Sequence, residues 1–278
     1  MTLLTMMLLV LLGSVSAGLL GALTGLGGGI IIVPMLTLLF HVDIRYAIGA
    51  SLISVIATSS GAAAAYVREG YTNIRVGMLL EVATTLGALC GAFIAGLVST
   101  RAITVLFAVV LLYSAYRSSR PAKPHDTHAP PHPLAVRLRL NGSYPTPAGE
   151  EEYTVQNVPT GFALMVGAGI VSGLLGIGSG VVKVLAMDQA MRLPFKVSTT
   201  TSNFMIGVTA AASAGVYLHR GYINPALALP VMLGVLAGAL FGARILTRAT
   251  PGKLRTVFNL VLVVMALQML YKGIAGGS

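Results

Sequence analysis

Apolar and polar positions fall in long blocks rather than at a strand or surface-helix period. Nearly uncharged apolar segments run over residues 3–40, 46–67, 75–98 and 101–117, and again over 158–190, 195–218, 225–247 and 254–272. Eighteen or more such residues in a helix reach across a ~30 Å hydrocarbon core. Between the two sets of four lies a polar stretch, 118–157. The pattern predicts an all-α polytopic membrane protein: a first transmembrane repeat over 1–117, a linker over 118–157 and a second repeat over 158–278.

Residue identities make the duplication explicit at one constant offset of 151. Gly25, Gly27 and Gly29 recur as Gly176, Gly178 and Gly180, Ser51 as Ser202, Thr58 as Thr209 and Phe107 as Phe258. Tyr66, Gly70, Tyr71 and Asn73 recur as Tyr217, Gly221, Tyr222 and Asn224, and Gly87-Ala88-x-x-Gly91-Ala92 recurs as Gly238-Ala239-x-x-Gly242-Ala243. Self-similarity at a fixed period is the mark of a repeated structural unit.

Each repeat opens on a glycine cluster set in apolar sequence: Leu23-Thr24-Gly25-Leu26-Gly27-Gly28-Gly29, and Leu174-Leu175-Gly176-Ile177-Gly178-Ser179-Gly180. Each glycine costs a helix roughly 1 kcal/mol relative to alanine, so both runs are expected to break here. As one straight helix, segment 3–40 would be ~57 Å long, too long for one crossing. A hairpin at each break also changes how the charges divide. Of the seventeen Lys and Arg other than Lys183, thirteen then fall on one face and four (Arg45, Arg101, Arg220 and Lys272) on the other. Single crossings would divide them eight against nine. The positive-inside rule selects the hairpins, which make the two halves inverted, the central loop cytoplasmic and both termini external.

Composition removes other classes. The 278 residues are 55% hydrophobic and 9% charged, with a mean hydropathy of +0.85, whereas soluble domains carry about 25% charged residues. The net charge of +10 sits beside helix ends, where sidedness and anionic lipid account for it, so membrane lipid rather than nucleic acid is the expected partner. Cys90 stands alone, which excludes an intrachain disulfide and a cysteine metal site, and it reads as packing. Met1–Ala22 resembles a signal peptide ending at Val15-Ser16-Ala17. It lacks a basic start, apolar sequence continues to Phe40 and the repeat needs it, so it is expected to stay in the mature protein. His125, His128 and His132 lie among prolines and read as solvated linker. Alternation over Ala135–Leu140 before Asn141-Gly142 predicts a small β-hairpin.

The candidate chemistry gathers at the breaks. Interrupted helices at membrane depth are tolerated where they line a cavity or pack in protein, and a matching pair in two halves points to a transport site. Helices starting after Gly27, Gly28 and Gly29 and after Gly178, Ser179 and Gly180 would present free N–H groups to an anion. Lys183 follows within a turn, and a lysine at membrane depth costs ~2.5–3.5 kcal/mol on insertion scales, which argues for a function. Beside a helix N-terminus its charge is favourable only with an anion between them. Ser51, Ser202 and Asn203 are placed to donate to an oxyanion, or equally to hydrogen-bond between helices. Glu81 is the other intramembrane charge, available to pair with a cation, carry a proton or reach back to the surface. Asp188 and Gln189 read as interfacial. Close helix packing is the alternative use of glycine, and it suits Gly87xxxGly91 and Gly238xxxGly242, which serve a homodimer as easily as the fold. No catalytic, cofactor or metal motif emerges, and Ile177 stands where an intramembrane serine protease motif needs glycine.

The run Leu-x-Gly-x-Gly-Gly-Gly-x-x-x-Val-Pro at 23–34, the repeated Tyr-x-x-x-Gly-Tyr and the Gly-Ala-x-x-Gly-Ala helices resemble the TauE/SafE sulfite exporter family over both repeats. The second break, Gly-Ile-Gly-Ser-Gly, departs from a full glycine triplet. The resemblance implies a transporter in a bacterial inner membrane that exports a small organosulfur anion (sulfite, sulfoacetate or another sulfonate) without ATP. An anion leaving a negative cytoplasm gains about 2.3 kcal/mol per charge per 100 mV. Alternating access would come from rocking of the two halves, with Glu81 the one candidate for proton coupling. Two other classes stay open: a cation or metal transporter centred on Glu81 and the histidines, which has few carboxylates for the task, and a non-transporting assembly factor, which leaves the broken helices unexplained.

Overall fold

The computed structural model describes residues 3–24, 28–68, 70–119, 132–146, 149–178, 180–246 and 251–275. The first half is five helices: α1 (Leu3–Thr24), α2 (Gly29–Leu39), α3 (Ile44–Arg68), α4 (Ile74–Ala95) and α5 (Thr100–Ser119). A short helix α6 (Pro133–Arg137) and strands β1 (Gly142–Thr146) and β2 (Gly149–Tyr153) follow. The second half is α7 (Val158–Leu175), α8 (Gly180–Leu185) continued by a π turn (Ala186–Ala190), α9 (Phe195–His219), α10 (Pro225–Leu246) and α11 (Pro251–Ala275). Both long apolar segments divide where glycines accumulate. The offset of 151 seen in the residues reappears in the elements, since α3 and α9 share both bounds at that offset, as do α4 and α10.

Local chemistry repeats for the same reason. Gly70 (φ 77°) and Gly221 (φ 73°) turn the chain out of α3 and α9 in a left-handed conformation that side chains resist. No atom lies within 4 Å of where either Cβ would sit, so backbone angle and not space requires glycine there. Asn73 and Asn224 then cap the next helices, accepting from the amides of Val76 (3.0 Å) and Ala226 (2.9 Å). The second break turns through Gly176 (φ 64°) and Gly178 (φ 68°). Tyr217 explains why its tyrosine belongs to the repeat, because its buried hydroxyl donates to the Gly173 and Leu174 carbonyls (3.2 and 3.3 Å) just ahead of that break.

The halves interlock rather than lie side by side. α1 packs on α10 and α4 on α7, while α3 packs on α9 and α5 on α11. Glycine makes the first two contacts close. A Cβ on Gly91 would strike the Ile170 carbonyl, one on Gly173 the Ala88 carbonyl and one on Gly238 the Val15 carbonyl. The expected small-residue packing is therefore contact between halves, with Gly242 outside the described side chains. Large apolar side chains also point outward, among them Leu12, Leu86, Phe93, Leu97, Leu240 and Leu267, as a lipid-facing surface requires. By length and hydropathy α4 and α7 can each cross a bilayer, and the apolar described parts of α1, α3, α5, α10 and α11 are shorter. Cys90 is exposed on α4, not packed as its sequence context suggested.

The central segment holds a hairpin, but not the expected one. Ala135–Arg137 lie in α6, begun by Pro133 and capped by His132 Nδ1, which accepts from the Leu134 amide at 3.2 Å. β1 starts at Gly142 and pairs antiparallel with β2 from Gly142↔Tyr153 to Thr146↔Gly149. Asn141 is diverted from turn duty because its Oδ1 accepts from the Val155 amide (2.9 Å). Ala135, Leu140, Tyr153 and Val155 are buried against Val76, Leu80, Met187 and Val197, which docks the insertion onto α4, the π turn and α9. Burial raises the Tyr153 phenol above its ordinary range, opposed by the hydrogen bond it accepts from Asn73 Nδ2 (2.8 Å). His125 and His128 lie outside the described residues.

Candidate functional site

The site is built where α4, α8 and α9 meet. α8 starts at Gly180 and places Lys183 one turn later, facing α9. Its side chain is wholly buried, at 0% exposure. Lys183 Nζ donates to Thr209 Oγ1 at 2.5 Å, and Thr209 Oγ1 in turn donates to Glu81 Oε1 at 2.7 Å. Thr85 donates to the same carboxylate oxygen at 3.1 Å, and Thr84 Oγ1 lies 3.4 Å from that of Thr209. Glu81 is 12% exposed, and its Oε2 lies 3.9 Å from Lys183 Nζ with no hydrogen-bond partner among the described residues. The two charges are therefore joined through a threonine and not in direct contact. An ammonium has three donors, and the Thr209 bond occupies one.

Below this cluster the same α8–α9 interface carries a second polar rung. Ser202 Oγ, two turns before Thr209 on α9, donates to the Gly180 carbonyl at 3.2 Å. Ile206 fills the space between, and Cβ atoms on Gly178 or Gly180 would meet it at 2.7 and 2.9 Å. The two breaks converge. Ser51 Oγ on α3 donates to the Gly176 carbonyl at 2.8 Å with the Gly29 carbonyl at 3.3 Å, so one hydroxyl ties the end of α7 to the start of α2. A Cβ on Gly29 would sit 2.7 Å from that hydroxyl and one on Gly28 2.7 Å from Val235. Both glycines are held where no larger residue fits without a shift.

The sequence-predicted residues thus fall into two neighbouring groups. Gly28, Gly29, Ser51, Gly178, Gly180 and Ser202 form the joint between the breaks, while Lys183 stands with Glu81 in the charged cluster. Gly27 and Ser179 lie outside the described residues. Asn203 is half-buried one position past Ser202, which turns it about 100° away around α9. Other members of its polar row have docking roles: Thr200 Oγ1 donates to the Tyr71 carbonyl, and Thr201 Oγ1 accepts from the Asn73 amide, both at 3.0 Å. Asp188 and Gln189 lie in the π turn.

Sequence reasoning missed Thr209 as the bridge and treated Lys183 and Glu81 as separate features. A usable signal was present, since two opposite charges at membrane depth in a chain with so few are expected to find each other. What the arrangement can do is hold one positive charge away from water and present it, with spare donors, beside a carboxylate able to bind or release a proton. Buried charges among apolar, glycine-broken helices fit the class of membrane-integral transport proteins.

The comparisons agree with that class and supply the family. The chain belongs to the sulfite exporter TauE/SafE family, whose sequence model matches residues 9–269. It is similar to the probable membrane transporter protein YunE of Bacillus subtilis, with 29% identity covering 96% of this chain and 98% of that one. The probable membrane transporter protein YdhB of the same organism is 24% identical (95% and 100% covered), and a probable membrane transporter protein of Methanocaldococcus jannaschii is 26% identical (96% of each). No solved structure matches.

Proposed function

We propose that this chain exports a small organosulfur anion, such as sulfite, sulfoacetate or another sulfonate, across the bacterial inner membrane by alternating access and without ATP. The observation that carries the reading is Lys183, a lysine with no solvent exposure at a helix break. Such a charge is retained at membrane depth for a ligand or a counter-charge. Here it has a counter-charge held at a threonine's distance, which leaves room for a ligand to compete.

In this reading the site is closed to water, and opening comes from rocking of units that cut across the chain halves. One is α1, α2 and α3 with α10, and the other is α7, α8 and α9 with α4, meeting where α3 packs on α9. Two observations support inverted halves with a cytoplasmic central segment. Arg75 Nη1 donates to the Arg139 carbonyl and Lys196 Nζ sits 3.6 Å from the Tyr71 ring, which gathers cations at the insertion end of α4. Arg45 and Arg220 instead donate to the carbonyls of Val98, Ala92 and Phe93 at the other end. A cation carrier built on Glu81 is disfavoured because that carboxylate faces Lys183.

The test is thermal stability of the purified protein against sulfite, sulfonates, carboxylates, phosphate and divalent cations. A ligand at ~100 times its Kd stabilises by about 2.7 kcal/mol. The expected result is stabilisation by a sulfur oxyanion that vanishes in Lys183→Met. The double variant Lys183→Met/Glu81→Gln, which leaves no orphan carboxylate, should behave alike. Stabilisation by divalent cations alone would refute the anion reading.

A further inference from the structure

The Glu81–Lys183 pair has a geometry that a purely structural ion pair lacks. Buried charge pairs are favourable when every donor and acceptor is satisfied. Here Oε2 of Glu81 is buried without a hydrogen-bond partner among the described residues, 3.9 Å from an ammonium that gives Thr209 one of its three donors. The carboxylate is tied down only through Oε1, by Thr209 and Thr85. One oxygen is anchored by hydroxyls, and the other faces the cation across 3.9 Å, held by charge attraction without a hydrogen bond.

Consider what an entering monoanion would meet. The pair as it stands has no net charge. An anion beside Lys183 with Glu81 still ionised would leave one uncompensated negative charge among Leu80, Ala83, Met187 and Met205, all buried apolar residues. Isolated charge in such surroundings is expelled or neutralised by a proton. The nearest group able to take that proton is Glu81 itself, through the free Oε2. Proton and anion together restore neutrality, with the ammonium then facing the anion and the carboxylic acid held by its threonines.

The geometry points to Glu81 as an internal stand-in for the substrate at Lys183, displaced when it takes up one proton, so that one proton and one monoanion cross together. This inference rests on the anion-carrier reading and adds its coupling. No covalent bond is made. The proton binds Oε2 from the side where the anion enters and leaves with it on the other. The transport cycle then moves no net charge, so the membrane potential neither drives nor opposes it, and direction follows from the anion and proton gradients.

The other titratable groups on the packed elements do not offer the same exchange. α7 carries none in Val158–Leu175. On α9, Lys196, Tyr217 and His219 lie toward its ends, away from Thr209. On α4, Arg75 is at the first turn beside the insertion and Cys90 is exposed. Asp188 of the π turn lies more than a turn beyond Lys183. The charged side chain facing Glu81 is Lys183.

The experiment uses the full chain in proteoliposomes with a trapped pH dye and potassium plus valinomycin to clamp the potential. Isethionate, a strong-acid sulfonate that brings no proton of its own, is the first probe and sulfite the second. Wild type should move one proton with each isethionate at a rate unchanged by the clamped potential. Glu81→Gln, which fixes the displaced state, should still move isethionate with at least tenfold fewer protons per anion. Glu81→Asp should keep the coupling and serves if the glutamine variant does not fold. Isethionate flux without protons in wild type, or equal proton coupling in Glu81→Gln, overturns the stand-in role and leaves the anion carrier standing. Absence of both isethionate and sulfite flux in wild type overturns the carrier reading and the coupling with it.

Discussion

The two halves share their glycine breaks and the bounds of α3 with α9 and of α4 with α10, yet the equivalent positions around the breaks differ in kind. In the second-half break, Lys183 of α8 meets Thr209 of α9, Glu81 and Thr84 of α4. At the same offset of 151, the first-half break brings Ile32 of α2, Thr58 of α3, and Met232 and Val235 of α10. Ile32 is 0% exposed and Val235 1%. The shared threonines both lie against the carbonyl four residues back, Thr58 at 3.0 Å from Ser54 and Thr209 at 3.2 Å from Met205, but Thr209 also meets two charges. One backbone therefore supports an apolar filling and a charged one. The apolar filling in the first half shows that this backbone can close around a break without an ion pair, as the ligand role proposed above for Lys183 requires.

That contrast can be broken most directly by copying one side onto the other. Lys183→Ile/Glu81→Met reproduces the apolar filling and should fold with stability near wild type, since apolar replacement of a buried pair is often neutral or better. Lys183→Ile alone strands a buried carboxylate and should lose about 3–5 kcal/mol in the same unfolding assay, recovering as pH falls and the carboxylate protonates. A double variant as unstable as the single would show that the pair holds the fold.

A smaller effect separates the two capping asparagines. Asn73 caps α4 and also donates from Nδ2 to the Leu140 carbonyl and the Tyr153 hydroxyl, both at 2.8 Å. Asn73→Ala should cost about 2–3 kcal/mol and loosen the insertion against α4, read as faster hydrogen exchange over 132–155. Asn224→Ala, which loses the cap bond from the Ala226 amide, should cost about 1 kcal/mol. Equal losses would remove the insertion from the Asn73 account. Smallest is the contrast between two glycines. Gly91→Ala must push the Ile170 carbonyl away and should lose roughly 1–2 kcal/mol in thermal unfolding. Gly215→Ala meets no atom within 4 Å and should gain up to ~1 kcal/mol.

Much of the fold was legible in the residues because repetition is a one-dimensional signal. Gly70 and Gly221, Asn73 and Asn224, and the clusters at 25–29 and 176–180 mark the same boundaries twice, and helix ends fall at them. The small-residue helices also announced close contact. What sequence cannot state is whom they contact. Gly87 and Gly91 lie on α7 of the other half, and this exchange carries Glu81 to Lys183, a pairing invisible while each charge is judged within its own segment. The insertion misled for a local reason. Asn141-Gly142 is a strong turn signal, but Pro133 had already committed the preceding residues to a helix and Asn141 to the Val155 amide.

The exchanged contacts, α1 on α10 and α4 on α7, have a consequence during synthesis. α1 leaves the ribosome long before its partner surface on residues 225–246, which arrives more than two hundred residues later. Emerging at ~5–20 residues per second, α1 waits on the order of ten to forty seconds with its glycine face uncovered. α4 waits less, since α7 follows soon after. A chain cut within 120–131 and expressed as two pieces should therefore yield neither piece stable alone but a functional pair when both are made together. Deleting α10 would therefore uncover α1, although the two lie far apart along the chain.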